Sequence, residues 1–254
     1  MLLHSEPQQI LRYKALPTLA RDAVHVWAFT LTGPEETRSE CERVLSAAEI
    51  NRANRFATGS LRTKYVFAHG VVRHVLARYC NLQPEALEFV TTGDAGKPAL
   101  ANSSAAGTFC FNLSHSKERA LLAVTLVQDI GVDIECQRQQ VDMLGISSSY
   151  FFGSEYEAIL SAPESARAAV FYKYWTAKEA VIKAEGIGLG LPLNRFEVKF
   201  APDNSRAAVE TYDTARLAPD WTVQSLPCEN GWSAAVAARG SAWAVKVVNV
   251  LSPA

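Results

Sequence analysis

Cysteine is scarce in this sequence, and its few copies follow no metal-binding or redox pattern. Five cysteines occur in 254 residues, with no C-x-x-C pair and no spacing to histidine that is typical of a zinc site. An odd, scattered set of thiols is typical of proteins that keep their cysteines reduced. The cysteine pattern therefore favours neither a disulfide framework nor a zinc module, and it predicts a cytoplasmic location.

Long apolar runs and an excess of one charge are also absent. No stretch approaches the roughly 20 consecutive apolar residues that span a membrane, and residues 1–6 contain no basic leader followed by an apolar run. The net charge is only −1, which argues against a general binder of nucleic acids or membrane surfaces. We therefore expect a soluble, cytoplasmic protein with neither nucleic acid nor membrane as a partner.

Two widespread catalytic signatures are missing as well. The segment Gly186–Gly190 is rich in glycine, but it follows a predicted helix instead of opening one, so it is not a phosphate loop of the Walker or dinucleotide kind. Ser114 and His115 are adjacent, but no G-x-S-x-G elbow surrounds them, and neighbouring residues of a strand point apart. A serine hydrolase is therefore disfavoured.

Helical and strand patterns alternate along the chain. Its 48% hydrophobic and 20% charged residues are typical of a soluble globular protein of one large domain or two ordinary ones. Helical spacing predicts long helices at Leu61–Tyr79 and Glu164–Glu185, and strand patterns flank both. The strands of the last quarter predict a mainly antiparallel sheet. The order predicts an α+β fold of two similar halves, residues 1–128 and 129–254, with the last residues able to pack back on the first half.

The segment Gly131-Val132-Asp133-Ile134-Glu135 places two acids on one side of a predicted strand. Its aliphatic and acidic residues alternate, so a strand would bury the two aliphatic residues and project Asp133 and Glu135 from the other face. Two carboxylates on one face need a cation. Taken alone, such a pattern is more often a solvated sheet face than a functional site.

The segment WTAKEAVIKAEG, from Trp175 to Gly186, supplies a third acid on a predicted helix. Glu179 and Lys183 are four residues apart and share one helix face with Trp175. Taken alone, this is most often a surface pair that contributes about 0.2–0.5 kcal/mol. If the face meets the acidic strand, however, three carboxylates can share one Mg²⁺, which prefers a few carboxylates together with water and substrate phosphate.

Two further motifs lie upstream, GKP at residues 96–98 and FNLSHS at residues 111–116. Read in order, GKP, FNLSHS, GVDIE and WTAKEAVIKAEGIGL resemble the motifs of the 4′-phosphopantetheinyl transferases, specifically the surfactin-synthetase-activating type that is built as one long chain. The four motifs cover residues 96–191, and a weaker similarity extends upstream through Arg52 and the helix that ends near Tyr79.

The resemblance implies an activity and an architecture. Members of this family move the phosphopantetheine arm of coenzyme A onto a serine of an apo acyl- or peptidyl-carrier protein, with Mg²⁺ or with Mn²⁺ in its place, and release adenosine 3′,5′-bisphosphate. The family fold is a pseudo-twofold pseudo-dimer of two α+β halves with the active site at the seam. Because such a site needs no second chain, we expect a monomer. The sequence does not indicate which carrier protein or pathway is served.

Three acids match the metal-binding positions of the family motifs: Asp133, Glu135 and Glu179. Breaking the pyrophosphate of coenzyme A builds negative charge on oxygen, which a divalent cation can neutralise. The carrier serine is a poor nucleophile at neutral pH, and Glu179, or a water that it holds, is the candidate base. Lys183 is the candidate to neutralise the transferring phosphate or to protonate the leaving group.

The phosphates of coenzyme A require several hydrogen-bond donors at a distance from the metal. By resemblance to the family motifs, the predicted cofactor-binding residues are Arg52, Lys64, Lys97, Ser114, His115, Lys178 and Lys183. The resemblance also implies that the acidic helix of a carrier docks near the apolar segment Gln137–Phe152, beside Arg138 and Arg167, although this segment could equally be core.

Two other classes of function remain open on the sequence alone. A Mg²⁺-dependent hydrolase of coenzyme A-like or nucleotide diphosphates would need the same acids. A carrier-binding module with an inactive site would need none of them, and it is disfavoured because the three acids and Lys183 are all present.

Overall fold

Helices and strands both build the molecule, whose computed structural model describes residues 1–13, 16–93, 96–101, 109–126, 129–212, 217–248 and 250. The α-helices are α1 (Pro7–Arg12), α2 (Glu35–Arg43), α3 (Ala47–Ala53), α4 (Gly59–Cys80), α5 (Met143–Tyr150), α6 (Gly153–Leu160) and α7 (Glu164–Glu185). The strands are β1 (Ala23–Thr30), β2 (Phe89–Thr92), β3 (Lys97–Leu100), β4 (Cys110–Ser116), β5 (Arg119–Thr125), β6 (Ile130–Cys136), β7 (Phe196–Phe200), β8 (Arg206–Thr211), β9 (Trp221–Leu226), β10 (Trp232–Arg239) and β11 (Ala244–Val248). The predicted α+β class is confirmed. Within the described ranges, no helix combines the length and apolar character needed to cross a membrane.

Two large sheets form the framework of the fold. The first has the spatial order β11-β1-β5-β4, and the second has the order β6-β10-β9-β8-β7. One 22-residue helix shares an apolar core with each sheet, α4 with the first and α7 with the second. This arrangement agrees with two similar α+β halves. The boundary that the sequence predicts at residue 128 lies outside the described residues and stays a prediction.

The last described strand departs from the antiparallel arrangement predicted for the final quarter of the chain. β11 does not join the second sheet but pairs with β1 in parallel, with Ala23 opposite Ala244 and Trp27 opposite Val248. Parallel neighbours require a long crossover connection, and here that connection is most of the chain. A strand pattern read from sequence gives no partner or direction, so this pairing could not be inferred from alternation alone.

The two long helices begin and end at residues suited to those positions. The Thr58 hydroxyl accepts a hydrogen bond from the Leu61 N–H at the start of α4. The residues that follow α4 and α7, Asn81 and Gly186, are both in the left-handed conformation, with φ of 53° and 77°. These signals explain why both helix positions could be predicted closely from the sequence.

The sheets pack through the aliphatic side of the acidic strand. Val132 and Ile134 of β6 are completely buried in a cluster with Val26 of β1, Ala123 of β5 and Val236 of β10. This confirms the predicted burial of the two aliphatic residues. Because side chains alternate along a strand, the acids of β6 point to the opposite face, which α7 covers.

Polar side chains of β4 connect the first sheet to β6. Asn112 Oδ1 accepts a hydrogen bond from the Val132 N–H at 2.9 Å, and Ser116 Oγ accepts one from the Cys136 N–H at 3.2 Å. Ser114, between these two residues of β4, contacts the Ile134 N–H at 3.4 Å. Every second residue of β4 therefore faces the acidic strand, and the residues between them face the other way.

Candidate active site

Gly131, which has no side chain, allows α7 to lie directly on β6. A Cβ atom at Gly131 would stand 1.9 Å from the carbonyl oxygen of Ala180 and 2.6 Å from the backbone N of Ala184. No residue with a side chain fits at those distances, so the closeness of helix and strand depends on glycine here. Gly131 shares its strand face with Asp133 and Glu135, and the close approach therefore brings α7 over both acids.

Lys183 and Asp133 form the centre of a polar cluster between α7 and β6. Lys183 Nζ donates to Asp133 Oδ1 at 2.6 Å and to Ser114 Oγ at 2.9 Å. The Ser114 hydroxyl in turn donates to Asp133 Oδ1 at 2.8 Å, while the Ser116 hydroxyl donates to Glu135 Oε2 at 2.7 Å. Three residues that the sequence assigned to the site, Ser114, Asp133 and Lys183, thus come from three separate elements and are hydrogen-bonded to one another, while Glu135 is bonded to Ser116 beside them.

Glu179 belongs to the same cluster through its charge. Burial raises the pKa of Glu179, and the negative charges of Asp133 and Glu135 raise it further while Lys183 opposes the rise. Burial also raises the pKa of Glu135. The hydrogen bond from Ser116 lowers this pKa, and the charge of Asp133 raises it. A negative charge raises the pKa of a carboxyl group in this way when it lies nearby. We call Asp133, Glu135 and Glu179 the acid cluster.

The acid cluster has the chemistry of a site for a hard divalent cation. Asp133 Oδ2 is buried and lacks a hydrogen-bond partner, which leaves one carboxylate oxygen free to bind a cation. Three carboxylates suit Mg²⁺, which takes a few carboxylates and completes its coordination with water and phosphate. In the part of the chain that the structure describes, however, no three His, Cys, Asp or Glu side chains stand together at metal-binding positions. The donors fit Mg²⁺, and the metal site stays a prediction.

A large cleft opens beside the acid cluster, in the first half of the molecule. It has a volume of about 920 Å³ and is walled by α3, α4, β4 and the β2-β3 hairpin. Two of the predicted cofactor-binding residues, Arg52 and His115, line it. Ser114 faces the acid cluster while its neighbour His115 faces the cleft, so a single strand separates the two sites.

Positive charge converges on His115 at the end of the cleft. Loss of hydration, followed by the charges of Lys183, His69 and Lys64, lowers the pKa of His115 below its ordinary value. The lowered pKa favours the neutral imidazole, which can donate one hydrogen bond to an anion. Lys64 itself does not line the cleft, and its ammonium lies 2.7 Å from the Glu118 carboxylate.

A group of polar residues that the sequence analysis did not assign to the site lines the opposite wall of the cleft. The Arg73 guanidinium is buried and lies 2.7 Å from Glu49 Oε2, and His69 Nδ1 lies 3.5 Å from Glu49 Oε1. The His69 ring stacks on Tyr65 with 3.9 Å between centroids. Tyr65, His69 and Arg73 recur every four residues, and this spacing on one face of the predicted helix could have identified them.

Lys97 makes a contact that differs from the predicted one. Its ammonium donates to the carbonyl oxygen of Ala184 at 2.7 Å, in the last turn of α7. A cation at this position satisfies a carbonyl without a helical partner and interacts favourably with the helix dipole. The side chain of β3 therefore ties the first half to α7, whereas a contact of Lys97 with coenzyme A stays a prediction.

Lys178 makes contacts that differ from the predicted one, and its binding of the cofactor stays a prediction. Its side chain is completely buried, and its ammonium lies 2.8 Å from Glu155 Oε2, 2.8 Å from the Leu193 carbonyl and 2.7 Å from the Phe196 carbonyl. Burial lowers the pKa of Lys178 and raises that of Glu155, while each charge opposes the shift of the other. All three N–H bonds of the ammonium are therefore engaged by these partners. Consecutive helix residues point about 100° apart, so Lys178 and its neighbour Glu179 lie on different faces of α7.

Comparisons with known proteins identify the family. The family model of the 4′-phosphopantetheinyl transferase superfamily matches residues 129–237. The 4′-phosphopantetheinyl transferase HetI of Nostoc sp. is 34% identical over 229 residues, which cover 90% of this chain and 93% of that protein. The 4′-phosphopantetheinyl transferase Sfp of Bacillus subtilis is 32% identical over 179 residues, or 70% of this chain and 71% of that protein. The L-aminoadipate-semialdehyde dehydrogenase-phosphopantetheinyl transferase of Xenopus laevis is 28% identical over 230 residues, or 83% and 74%.

These similarities reach well beyond the acidic motifs. The match to HetI covers 90% of this chain, far more than the acidic motifs alone. The predicted transferase is confirmed, and the comparisons give no support to a hydrolase. The chain belongs to the 4′-phosphopantetheinyl transferase superfamily and is an enzyme of the holo-acyl-carrier-protein synthase type.

Proposed function

We propose that the cleft holds the phosphates of coenzyme A, that the acid cluster holds Mg²⁺, and that the phosphopantetheine arm is transferred to a serine of an apo acyl- or peptidyl-carrier protein. The observation that carries this proposal is the alternation of β4. Ser114 contacts Asp133 at 2.8 Å, while the next residue, His115, lines the cleft. A substrate held in the cleft through its phosphates would therefore lie one strand away from the acids.

Each residue of the proposed site has a distinct role. Arg52 and His115 donate hydrogen bonds to phosphate oxygens, and charge-assisted bonds of this kind are about twice as strong as neutral ones. When bound, Mg²⁺ neutralises the charge that develops on the pyrophosphate during transfer. Glu179 takes the proton of the carrier serine directly or through a water. Lys183 supplies positive charge to the transferring phosphate or a proton to the leaving group.

The partner and the setting are part of the same proposal. The carrier docks on the segment from Gln137 to Phe152, where α5 carries a Tyr150 side chain that is 59% exposed. An aromatic side chain that reaches solvent suits a protein interface. One chain supplies both the cleft and the acid cluster, so the enzyme acts as a monomer, in the cytoplasm, without a nucleic acid or membrane partner.

A transfer assay tests the proposal. The enzyme is incubated with coenzyme A, Mg²⁺ and a panel of apo-carriers from fatty-acid, polyketide, peptide and lysine pathways, and the carriers are weighed by mass spectrometry. A carrier that gains the mass of phosphopantetheine on its serine supports the proposal and identifies the pathway. Consumption of coenzyme A without a modified carrier would instead support a hydrolase.

Replacing His115 with alanine is expected to weaken binding of coenzyme A by about 10- to 100-fold, since a hydrogen bond to a charged group contributes about 1.5–3 kcal/mol. The measurement is KM for coenzyme A and for dephospho-coenzyme A. A smaller loss with dephospho-coenzyme A assigns His115 to the 3′-phosphate, and equal losses assign it to the pyrophosphate. An unchanged KM for both would remove His115 from the cofactor site.

Replacing Lys97 with methionine is expected to lower the free energy of unfolding by about 1–3 kcal/mol, because the Ala184 carbonyl loses a charged donor. Urea unfolding measures this loss, and Lys117→Met, an exposed lysine of the first half, is the control. The KM for coenzyme A reports separately on the predicted cofactor contact. Unchanged stability would show that the contact with α7 contributes little.

A further inference from the structure

The buried ion pair of Lys178 and Glu155 connects four parts of the second half. Glu155 Oε1 accepts the Val198 N–H of β7 at 2.8 Å, and Glu155 Oε2 accepts the Phe152 N–H at the start of α6 at 2.9 Å. Lys178 adds the Leu193 carbonyl before β7 and the Phe196 carbonyl at its first residue. The ammonium has three hydrogen-bond partners and the carboxylate also has three, and neither side chain is exposed by more than 1%.

If its only role were stability, a buried ion pair would be an unfavourable choice here, because burying two charges costs free energy. Taking two charges out of water costs several kcal/mol per ion, and well-packed apolar residues of similar volume are often as stable or more so. Hydrogen bonds and an ion pair, however, have direction, whereas apolar packing has little. The arrangement therefore specifies how α7 is rotated and how far along its axis it lies.

The rotation of α7 matters because the next residue is Glu179. Lys178 anchors one face of the helix to α6 and β7, and Glu179 and Lys183 extend from a neighbouring face to the acid cluster. A rotation of about 15° would move a carboxylate that lies about 6 Å from the helix axis by about 1.5 Å. A displacement of about 1 Å at a reacting group can reduce the rate by about 10²-fold.

We propose that Lys178 and Glu155 are positioning residues for the transfer reaction: the ion pair fixes the rotation of α7 and thereby places Glu179 and Lys183 at the acid cluster. Neither residue touches substrate. The inference rests on the proposed function, because it assigns the effect of the ion pair to the groups that carry out transfer there. It also explains why a lysine next to Glu179 is fully buried.

Two variants test the proposal, with transfer by the wild-type enzyme established first. Lys178→Met combined with Glu155→Gln removes both charges and leaves neither ion unpaired. Glu155→Asp keeps both charges, so it preserves folding, but it shortens the carboxylate by one methylene. The matched control is Lys173→Met, the same substitution on the same helix at a lysine that contacts Asn204 and Phe200 instead. Each protein is assayed well below its midpoint of thermal unfolding, and rates are divided by the folded fraction.

The expected result is a specific loss of kcat. The double variant should lose about 50-fold and Glu155→Asp about 5-fold, with KM for coenzyme A within about 3-fold of wild type and a higher Mg²⁺ concentration for half-maximal rate. Lys173→Met should match the wild type. A purely structural role would lower the unfolding midpoint and leave kcat of the folded fraction unchanged, which would overturn the proposal.

Three other outcomes are possible, and each leads to a clear conclusion. A raised KM for coenzyme A with unchanged kcat would return Lys178 to the cofactor, as the sequence alone predicted, and would overturn the positioning role. If the double variant fails to fold, unchanged kcat in Glu155→Asp overturns the proposal by itself. A wild-type enzyme that modifies no carrier would defeat the proposed function, and that result is distinct from normal transfer by the variants.

Discussion

Asp133→Asn, Glu135→Gln and Glu179→Gln are each expected to reduce kcat in Mg²⁺ by about 10³-fold or more. A cation that polarises phosphoryl oxygens supplies several kcal/mol of transition-state stabilisation, and each 1.36 kcal/mol corresponds to about 10-fold in rate. The substitutions keep the size of the side chain, and they relieve repulsion within the acid cluster. We therefore expect the fold to be intact, with the free energy of unfolding unchanged or slightly higher in Glu135→Gln and Glu179→Gln and lower in Asp133→Asn, which loses its ion pair with Lys183.

The measurements are kcat from carrier modification and the affinity for Mn²⁺ from magnetic resonance of the ion. The control is Glu164→Gln, which changes an exposed glutamate in the first turn of the same helix and should leave both quantities unaltered. Full activity in any one of the three variants would remove that residue from the metal site. A lost kcat with normal affinity for Mn²⁺ would assign the residue to proton transfer instead.

Gly131→Ala is expected to have the second largest effect, on both activity and stability. The new methyl group would lie 1.9 Å from the Ala180 carbonyl oxygen, so α7 must move away from β6 by about 1 Å or more to reach a normal contact. Overpacking of this kind costs about 1–3 kcal/mol or more. The movement also withdraws Glu179 from the acids, and we expect kcat to fall by about 10²-fold.

Urea unfolding and the transfer assay measure the two effects. Gly153→Ala is the matched control, because a Cβ atom at Gly153 would meet nothing within 4 Å. It should change neither quantity by much. Normal kcat in Gly131→Ala would mean that the distance between α7 and β6 does not determine the geometry of the acid cluster.

The orientation of the acidic strand could be predicted because it depends on a local rule. Alternation places Val132 and Asp133 on opposite faces, and the structure has one in an apolar cluster and the other in a polar one. The pairing of Glu179 and Lys183 on one helix face is equally local. Both patterns concern residues that are two positions apart in a strand or one turn apart in a helix. At these distances backbone geometry alone determines the face on which each side chain lies.

Contacts between distant elements could not be predicted in the same way. Lys178 and Lys183 lie on one helix five residues apart, yet one is buried against Glu155 and the other meets Asp133. Which face of α7 meets β6 depends on the absent side chain at Gly131, and a glycine in a strand indicates a close approach without identifying the partner. Lys97 is similar, since its contact with Ala184 depends on how the hairpin packs on α7.

The parallel pairing of β11 with β1 has a consequence for how the molecule can be divided. β11, near the end of the chain, pairs with one side of β1, near its beginning. The first sheet is therefore completed by a strand that follows the whole second sheet in sequence. A fragment that ended before Ala244 would leave the stretch Ala23–Trp27 of β1 without a strand partner on that side, and an open strand edge favours pairing with other chains. The halves are similar in architecture, but no single cut yields two complete units.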